Sequence, residues 1–287
     1  RLDVGVVGTG RAGSVLGAAL KRAGHNIRAC TAVSDISKLR AESLLPGVLV
    51  TSIDEAVKDR DLILLTVPDD VLSQVVNGLA TTNAVSPGTF VMHASGRYGI
   101  EVLRALTDQG CLPLALHPVM TFTGTSIDLN RLSACPFGIT TVQTLRPVAE
   151  TLVVEIGGEP IWVPEENRGL YHAALTFGAN NLMTLVTQTT ELLEAADITN
   201  PENLVAPLLG ASLDNALRNG DAAITGPVAR GDASTVREHL RVLANFDPAV
   251  TQAYRAMARL TAIRALASGT LQPQLAEELL IVLADES

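Results

Sequence analysis

The sequence predicts an α/β chain in two parts, a doubly wound parallel sheet followed by an all-helical half. Three observations predict it. Short apolar runs alternate with helical stretches over residues 1–163. The first run ends in a glycine-rich turn, Gly8-Thr9-Gly10-Arg11-Ala12-Gly13. After Pro164 the strand patterns all but cease, and helical ones take over.

Strands are expected at Leu2–Val7, Asn26–Ala32, Val48–Thr51, Leu62–Val67, Thr89–His93, Leu112–Leu116, Phe137–Thr140 and Pro160–Val163. Helices between them include Ala12–Ala23, Asp69–Leu79 and Ile100–Asp108. Such βα alternation calls for parallel strands. In the second half, helices are expected at Asn167–Ala196, Leu204–Asn219, Ala233–Leu243, Ala249–Ala267 and Pro273–Leu283. The expected division is residues 1–163, the alternating domain, and 164–287, the helical domain.

The opening turn is a G-x-G-x-x-G set between a strand and a helix. Gly8 permits the tight turn, Gly10 lets a pyrophosphate approach the backbone, and Gly13 lets helix and strand pack closely. The helix start adds free N–H groups and the positive end of its dipole. Gly8, Thr9, Gly10, Arg11, Ala12 and Gly13 are therefore expected to hold a nicotinamide dinucleotide. NAD enzymes place an acid at the end of the second strand to hold the ribose. Here that strand ends Cys30-Thr31-Ala32, and Ser34, Ser37, Lys38 and Arg40 follow. Hydroxyls and cations suit a 2′-phosphate, so NADP(H) is favoured. Asp35, which could reach the ribose, keeps NAD(H) open. Ser34–Arg40 also fits a helix cap with a solvated face. Val67, Pro68 and Asp69 close the fourth strand and are expected on the nicotinamide side, with Asp69 also suited to cap the next helix.

Ligands bind at the carboxyl ends of strands in open α/β sheets. His93-Ala94-Ser95 ends the fifth strand and His117-Pro118 the sixth, so topology brings a hydroxyl and two imidazoles to one rim. Histidine suits proton exchange with a carbonyl or alcohol. His117 is the expected acid/base and Ser95 the group that orients the oxygen, while His93 also fits a strand-end cap. In the helical half, Tyr171, His172 and Asn180 share one long helix and are expected to complete the pocket, His172 with the catalytic groups and Tyr171 and Asn180 as substrate contacts. Thr225 and Arg230 belong to a loop before Asp232, a fitting helix N-cap. Arg230 beside a helix start suits an anionic substrate group.

Composition excludes several classes. The net charge is −9, which argues against nucleic-acid binding. No apolar run reaches the roughly 18 residues of a membrane span. No signal-peptide pattern opens the chain, which starts at Arg1. Cys30, Cys111 and Cys135 are widely spaced, form no metal motif and fit buried thiols of a cytoplasmic protein.

Six segments together resemble a bacterial family of Rossmann-like proteins with a C-terminal domain of unknown function 2520. They are Gly8–Gly13, Val67-Pro68-Asp69, His93–Gly96, His117–Phe122, Tyr171–Ala174 and Thr225–Asp232 followed by His239. The resemblance spans nearly the whole chain. It implies an NADP-dependent oxidoreductase and a helical domain like that of 6-phosphogluconate dehydrogenase relatives, which dimerise. Those relatives and ketopantoate reductases protonate the carbonyl with a helical-domain lysine. The only lysines here are Lys21, Lys38 and Lys58, so another acid is required. Ser95 and His117 also match a serine and a His-Pro of prephenate dehydrogenase, where the pair engages the substrate hydroxyl. Actinobacterial relatives associated with pantothenate genes keep a ketopantoate-like acid among the candidates. The expected activity is NADP(H)-dependent oxidation or reduction of a small anionic hydroxy or keto acid. Two other readings stay open: a non-catalytic NADP-binding regulator, and an imine reductase of the pyrroline-carboxylate reductase type.

Overall fold

The computed structural model describes residues 1–284. Strands β1 (Asp3–Val7), β2 (Asn26–Cys30), β3 (Leu49–Val50), β4 (Leu62–Leu65), β5 (Phe90–His93), β6 (Leu112–Pro118), β7 (Pro136–Thr140) and β8 (Glu159–Trp162) form one sheet. Their order is β3-β2-β1-β4-β5-β6-β7-β8. Helices α1 (Arg11–Arg22), α2 (Asp35–Leu44), α3 (Ile53–Val57), α4 (Asp69–Thr81), α5 (Arg104–Thr107), α6 (Ile127–Arg131) and α7 (Arg146–Glu155) connect them. The second half holds α8 (Arg168–Ala195), α9 (Pro201–Asn219), α10 (Pro227–Arg230), α11 (Ala233–Ala244), α12 (Pro248–Ala267) and α13 (Pro273–Leu283).

The two-residue period of a strand sorts the core. Val4, Val6, Leu62, Leu64 and Met92 face one layer, with Leu16 and Leu20 of α1 and Val153 of α7. Val7, Ile63, Leu65 and Val91 face the other, with Leu72 and Val76 of α4. Contacts divide the chain into two compact units, residues 1–178 and 179–287, and α8 runs through the division. The second unit has a core of its own, including Val236, Leu240, Ala262 and Leu279.

Three details depart from expectation. β7 runs antiparallel to β6, with His117 opposite Gly138, whereas the other strand pairs are parallel. The connection explains it. Val119 N–H already donates to the carbonyl of Pro136, and Gly124 lies against Arg11 at the start of α1. The chain therefore stays at the carboxyl end of β6 and re-enters the sheet from there. Residues 100–108 form a 3₁₀ turn, Glu101–Leu103, and only a short α5. Asp69 is the first residue of α4 and not its cap. Pro68, fixed in an extended conformation, occupies that place.

Candidate active site

The glycine turn is built as its spacing predicts. Gly8 has φ +98°, and a Cβ on Gly13 would stand 2.0 Å from the Gly8 carbonyl oxygen. Position 10 is open, with nothing within 4 Å of where a Cβ would lie. Among the described residues no side chain caps α1, so its first N–H groups are left for an anion. These features fit a dinucleotide pyrophosphate. Thr9 is buried and its hydroxyl donates to Thr31 and Ser37 carbonyls at 2.9 and 3.2 Å, so only its backbone borders the turn. Thr66, next to Val67 and Pro68, donates its hydroxyl to the Gly8 carbonyl at 2.6 Å and ties β4 to the turn.

The ribose end is less open than expected. Ser34 caps α2 by accepting from the Ser37 N–H, and the Ser37 hydroxyl donates back to the Ser34 carbonyl at 2.7 Å. Lys38 pairs with Asp35 at 3.2 Å on the exposed face. Two other cations converge beside them. A Cβ on Gly124 would meet Arg40 Nε at 2.8 Å and Arg11 Cγ at 3.1 Å. The buried carboxyl of Asp128 shapes that loop, accepting from the N–H groups of Thr123 and Gly124 at 2.7 and 2.8 Å.

The second centre lies at the carboxyl ends of β5 and β6. His117 Nδ1 is 2.8 Å from the Tyr171 hydroxyl. The His117 and His172 rings meet edge to face, with centroids 6.3 Å apart. Gly96 fits between them. A Cβ there would stand 2.7 Å from His172 Cδ2 and 2.9 Å from His117 Nε2. Gly138 does the same for Tyr171, whose hydroxyl would lie 2.3 Å from an added Cβ. Because β7 is antiparallel, its first residues share the rim with the end of β6. Ser95 is adjacent, its hydroxyl oxygen accepting from the Tyr98 N–H at 3.2 Å.

His93 is a structural histidine. It accepts from Ser95 N–H at Nδ1 (3.2 Å) and donates from Nε2 to the Gly99 carbonyl (2.8 Å). Burial pushes it down to about 4. His117 is likewise pushed down to about 4, first by burial and then by the charge of Arg168. Both imidazoles are therefore neutral at pH 7. His25 is spent elsewhere, accepting from Leu2 N–H and facing Glu155 at 3.0 Å. The three cysteines are free and buried.

The first unit thus brings together Ser95, His117, Tyr171 and His172. Asn180, Thr225 and Arg230 belong to the second unit, all exposed. Asn180 stands on α8, and Arg230 ends α10, before the α11 cap formed by Asp232 on the Thr235 N–H. His239 is held by the Tyr254 hydroxyl at 2.8 Å. Sequence reasoning missed Arg168, Glu165 and Gly138. The carboxyl of Glu165 accepts from the N–H groups of Ile100 and Glu101 at 2.7 and 3.2 Å, fixing the segment after Gly96. The signal for Arg168 was its spacing, three and four residues before Tyr171 and His172 on one helical face.

Among the described residues no helix is long and apolar enough to cross a membrane, and no cluster of ligating side chains could hold a metal ion. Residues 1–118 match the Rossmann-like domain, and residues 135–261 match the domain of unknown function DUF2520. No curated protein matches the chain. A Bacteroides fragilis structure, provisionally described as an NADP oxidoreductase, is 20% identical with a TM-score of 0.76, over 91% of this chain and 98% of that one. A Thermotoga maritima protein, with no activity in its name, is 22% identical with a TM-score of 0.69, over 92% and 99%. An imine reductase variant from Myxococcus stipitatus, solved with NAD+, is 16% identical with a TM-score of 0.62, over 98% and 99%. At these identities the likeness speaks to the fold. The chain joins a Rossmann-like domain to a DUF2520 domain.

Proposed function

We propose that this protein is an NADP(H)-dependent oxidoreductase acting on a small anionic hydroxy or keto acid, a ketopantoate-like acid being one such substrate. The observation that carries the reading is the imidazole–phenol cluster around Gly96, on the same sheet rim as the uncapped start of α1. The bound nicotinamide would supply hydride acceptance or donation. Gly8–Gly13 would hold the pyrophosphate, and Val67, Pro68 and Asp69 would border the nicotinamide. Ser34, Ser37, Lys38 and Arg11 would serve the ribose end, and Arg40 beside Arg11 supports a 2′-phosphate there.

His117 is neutral at pH 7, so with Nδ1–H donating to Tyr171 its Nε2 is free to take a proton from a hydroxyl. Ser95 would orient that oxygen, with His172 and Tyr171 framing it. Asn180, Thr225 and Arg230 would complete the substrate side, Arg230 holding the anionic group. We retain Pro164 as the start of the substrate domain. Exposed Met183, Leu185, Leu208, Leu213 and Leu217 on α8 and α9 support a homodimer through that domain. Imine reduction is the second reading, favoured by the fold shared with the imine reductase.

A thermal-shift panel with NADP, NAD, small keto acids and cyclic imines tests the reading. A ligand that binds the native state raises its melting temperature by mass action. NADP is expected to stabilise more than NAD, and keto acids to add to it. Stabilisation by cyclic imines alone favours the second reading. No response to either dinucleotide contradicts both.

A further inference from the structure

Among the described residues, Arg168 is the largest of the fully buried side chains, 2% exposed, and no carboxylate forms an ion pair with it. Its Nε donates to the Thr140 hydroxyl at 2.7 Å. Its Nη2 donates to the carbonyls of Ala115 and Gly138 at 2.9 and 3.0 Å, and Nη1 lies 3.5 Å from the Ser95 carbonyl. The nearby Glu165 carboxyl is spent on Ile100 and Glu101. Burying a cation without a counter-charge costs several kcal/mol. A neutral side chain would tie these elements together without that cost.

The four acceptors explain the placement. They lie on β6, on β7 and after β5, the elements that carry His117, Gly138 and Ser95. Arg168 begins α8, and Tyr171 and His172 stand on the next turn of the same face. The guanidinium carbon also lies 5.6 Å from the Tyr171 ring centre. Four of its five N–H donors are occupied, so it has no two-pronged fork left for a substrate carboxylate.

We propose that Arg168 is the positioning residue of this site: it ties the first turn of α8 to the strand rim, sets Tyr171 and His172 against His117, and leaves a fixed positive charge beside that imidazole. The inference rests on the oxidoreductase reading for its use, but not for its test. The groups facing His117 are Arg168, Tyr171 and His172 from α8 and His93 from β5. None of these is an acid; the carboxylate that acts on Arg168 itself, Glu165, is held on the N–H groups of Ile100 and Glu101.

The test is an imidazole NMR titration of His117 in the full chain, for the wild type, Arg168→Gln and Thr140→Val. Removing a neighbouring charge moves a midpoint by about one unit or more. Arg168→Gln is expected to raise the His117 midpoint by that amount. An unchanged midpoint overturns the proposal. Thr140→Val keeps the charge and removes the acceptor of Nε. It is expected to shift the Nδ1 resonance that reports the Tyr171 hydrogen bond, and it decides the matter if Arg168→Gln does not fold. A wild-type Nδ1 resonance in Thr140→Val then overturns the proposal. No substrate enters either measurement, so a chain that reduced none of the candidate acids would leave the result standing.

Discussion

Gly96 shows how little space separates the two imidazoles. A methyl group there would sit 2.7 Å from one ring and 2.9 Å from the other, so the rings must part. Misplacing a reacting group by about 1 Å can cost on the order of 10²-fold in rate. Gly96→Ala is expected to lose turnover on that order while binding NADPH as the wild type does, which paired kinetics and titration would show. The buried histidines make a second prediction. His93 and His117 ordinarily titrate near 6.5, and burial pushes both down to about 4. Between those values the unfolded chain binds protons that the folded chain does not, so stability is full above about pH 6.5 and falls as pH drops toward 4. Each histidine contributes up to about 3 kcal/mol of that loss. Urea midpoints across this range should fall on acidification, and His93→Gln should flatten the slope. The places of His117 at a strand end and of Tyr171 and His172 on one long helix were legible from the sequence pattern. Arg168 was not, because an arginine early in a helix reads as solvated until its four acceptors are seen.

At the scale of elements, the eight strands and the long helices were legible from apolar period and punctuation. The direction of β7 was not. It depends on where the segment between β6 and β7 travels, which is set by tertiary contacts. Asp128 holds that segment with two backbone N–H bonds and the Thr123 hydroxyl at 3.0 Å. Asp128→Ala leaves the buried Gly124 N–H and the partly buried Thr123 donors unpaired, at an expected cost of about 2–4 kcal/mol. Chemical denaturation checks it, and the loss should be accompanied by weaker NADP binding, because the loop lies against Arg11 and Arg40. The expected 2′-phosphate set illustrates the same limit. Ser34, Ser37 and Lys38 suggested a phosphate by composition, yet their observed partners are a helix cap and an ion pair. Arg40 joins Arg11 only through the fold of the Gly124 loop.

For the whole molecule, the change from strands to helices near Pro164 announced two parts. The compact units divide inside α8, whose first turns pack with the sheet through Arg168 and Tyr171. Sequence pattern marks where strands stop, not which contacts a continuous helix makes along its length. The exposed apolar residues of α8 and α9 predict a dimer by light scattering at micromolar concentration, and Leu208→Glu with Leu217→Glu should give a monomer. The central claim is that His117 moves the proton while a nicotinamide moves the hydride. It is tested most directly by following nicotinamide absorbance with a panel of hydroxy and keto acids, for wild type and His117→Asn. The account predicts NADP(H)-dependent turnover that falls by about 10²–10⁴ in the variant, with NADPH affinity unchanged. Full turnover in His117→Asn would contradict it.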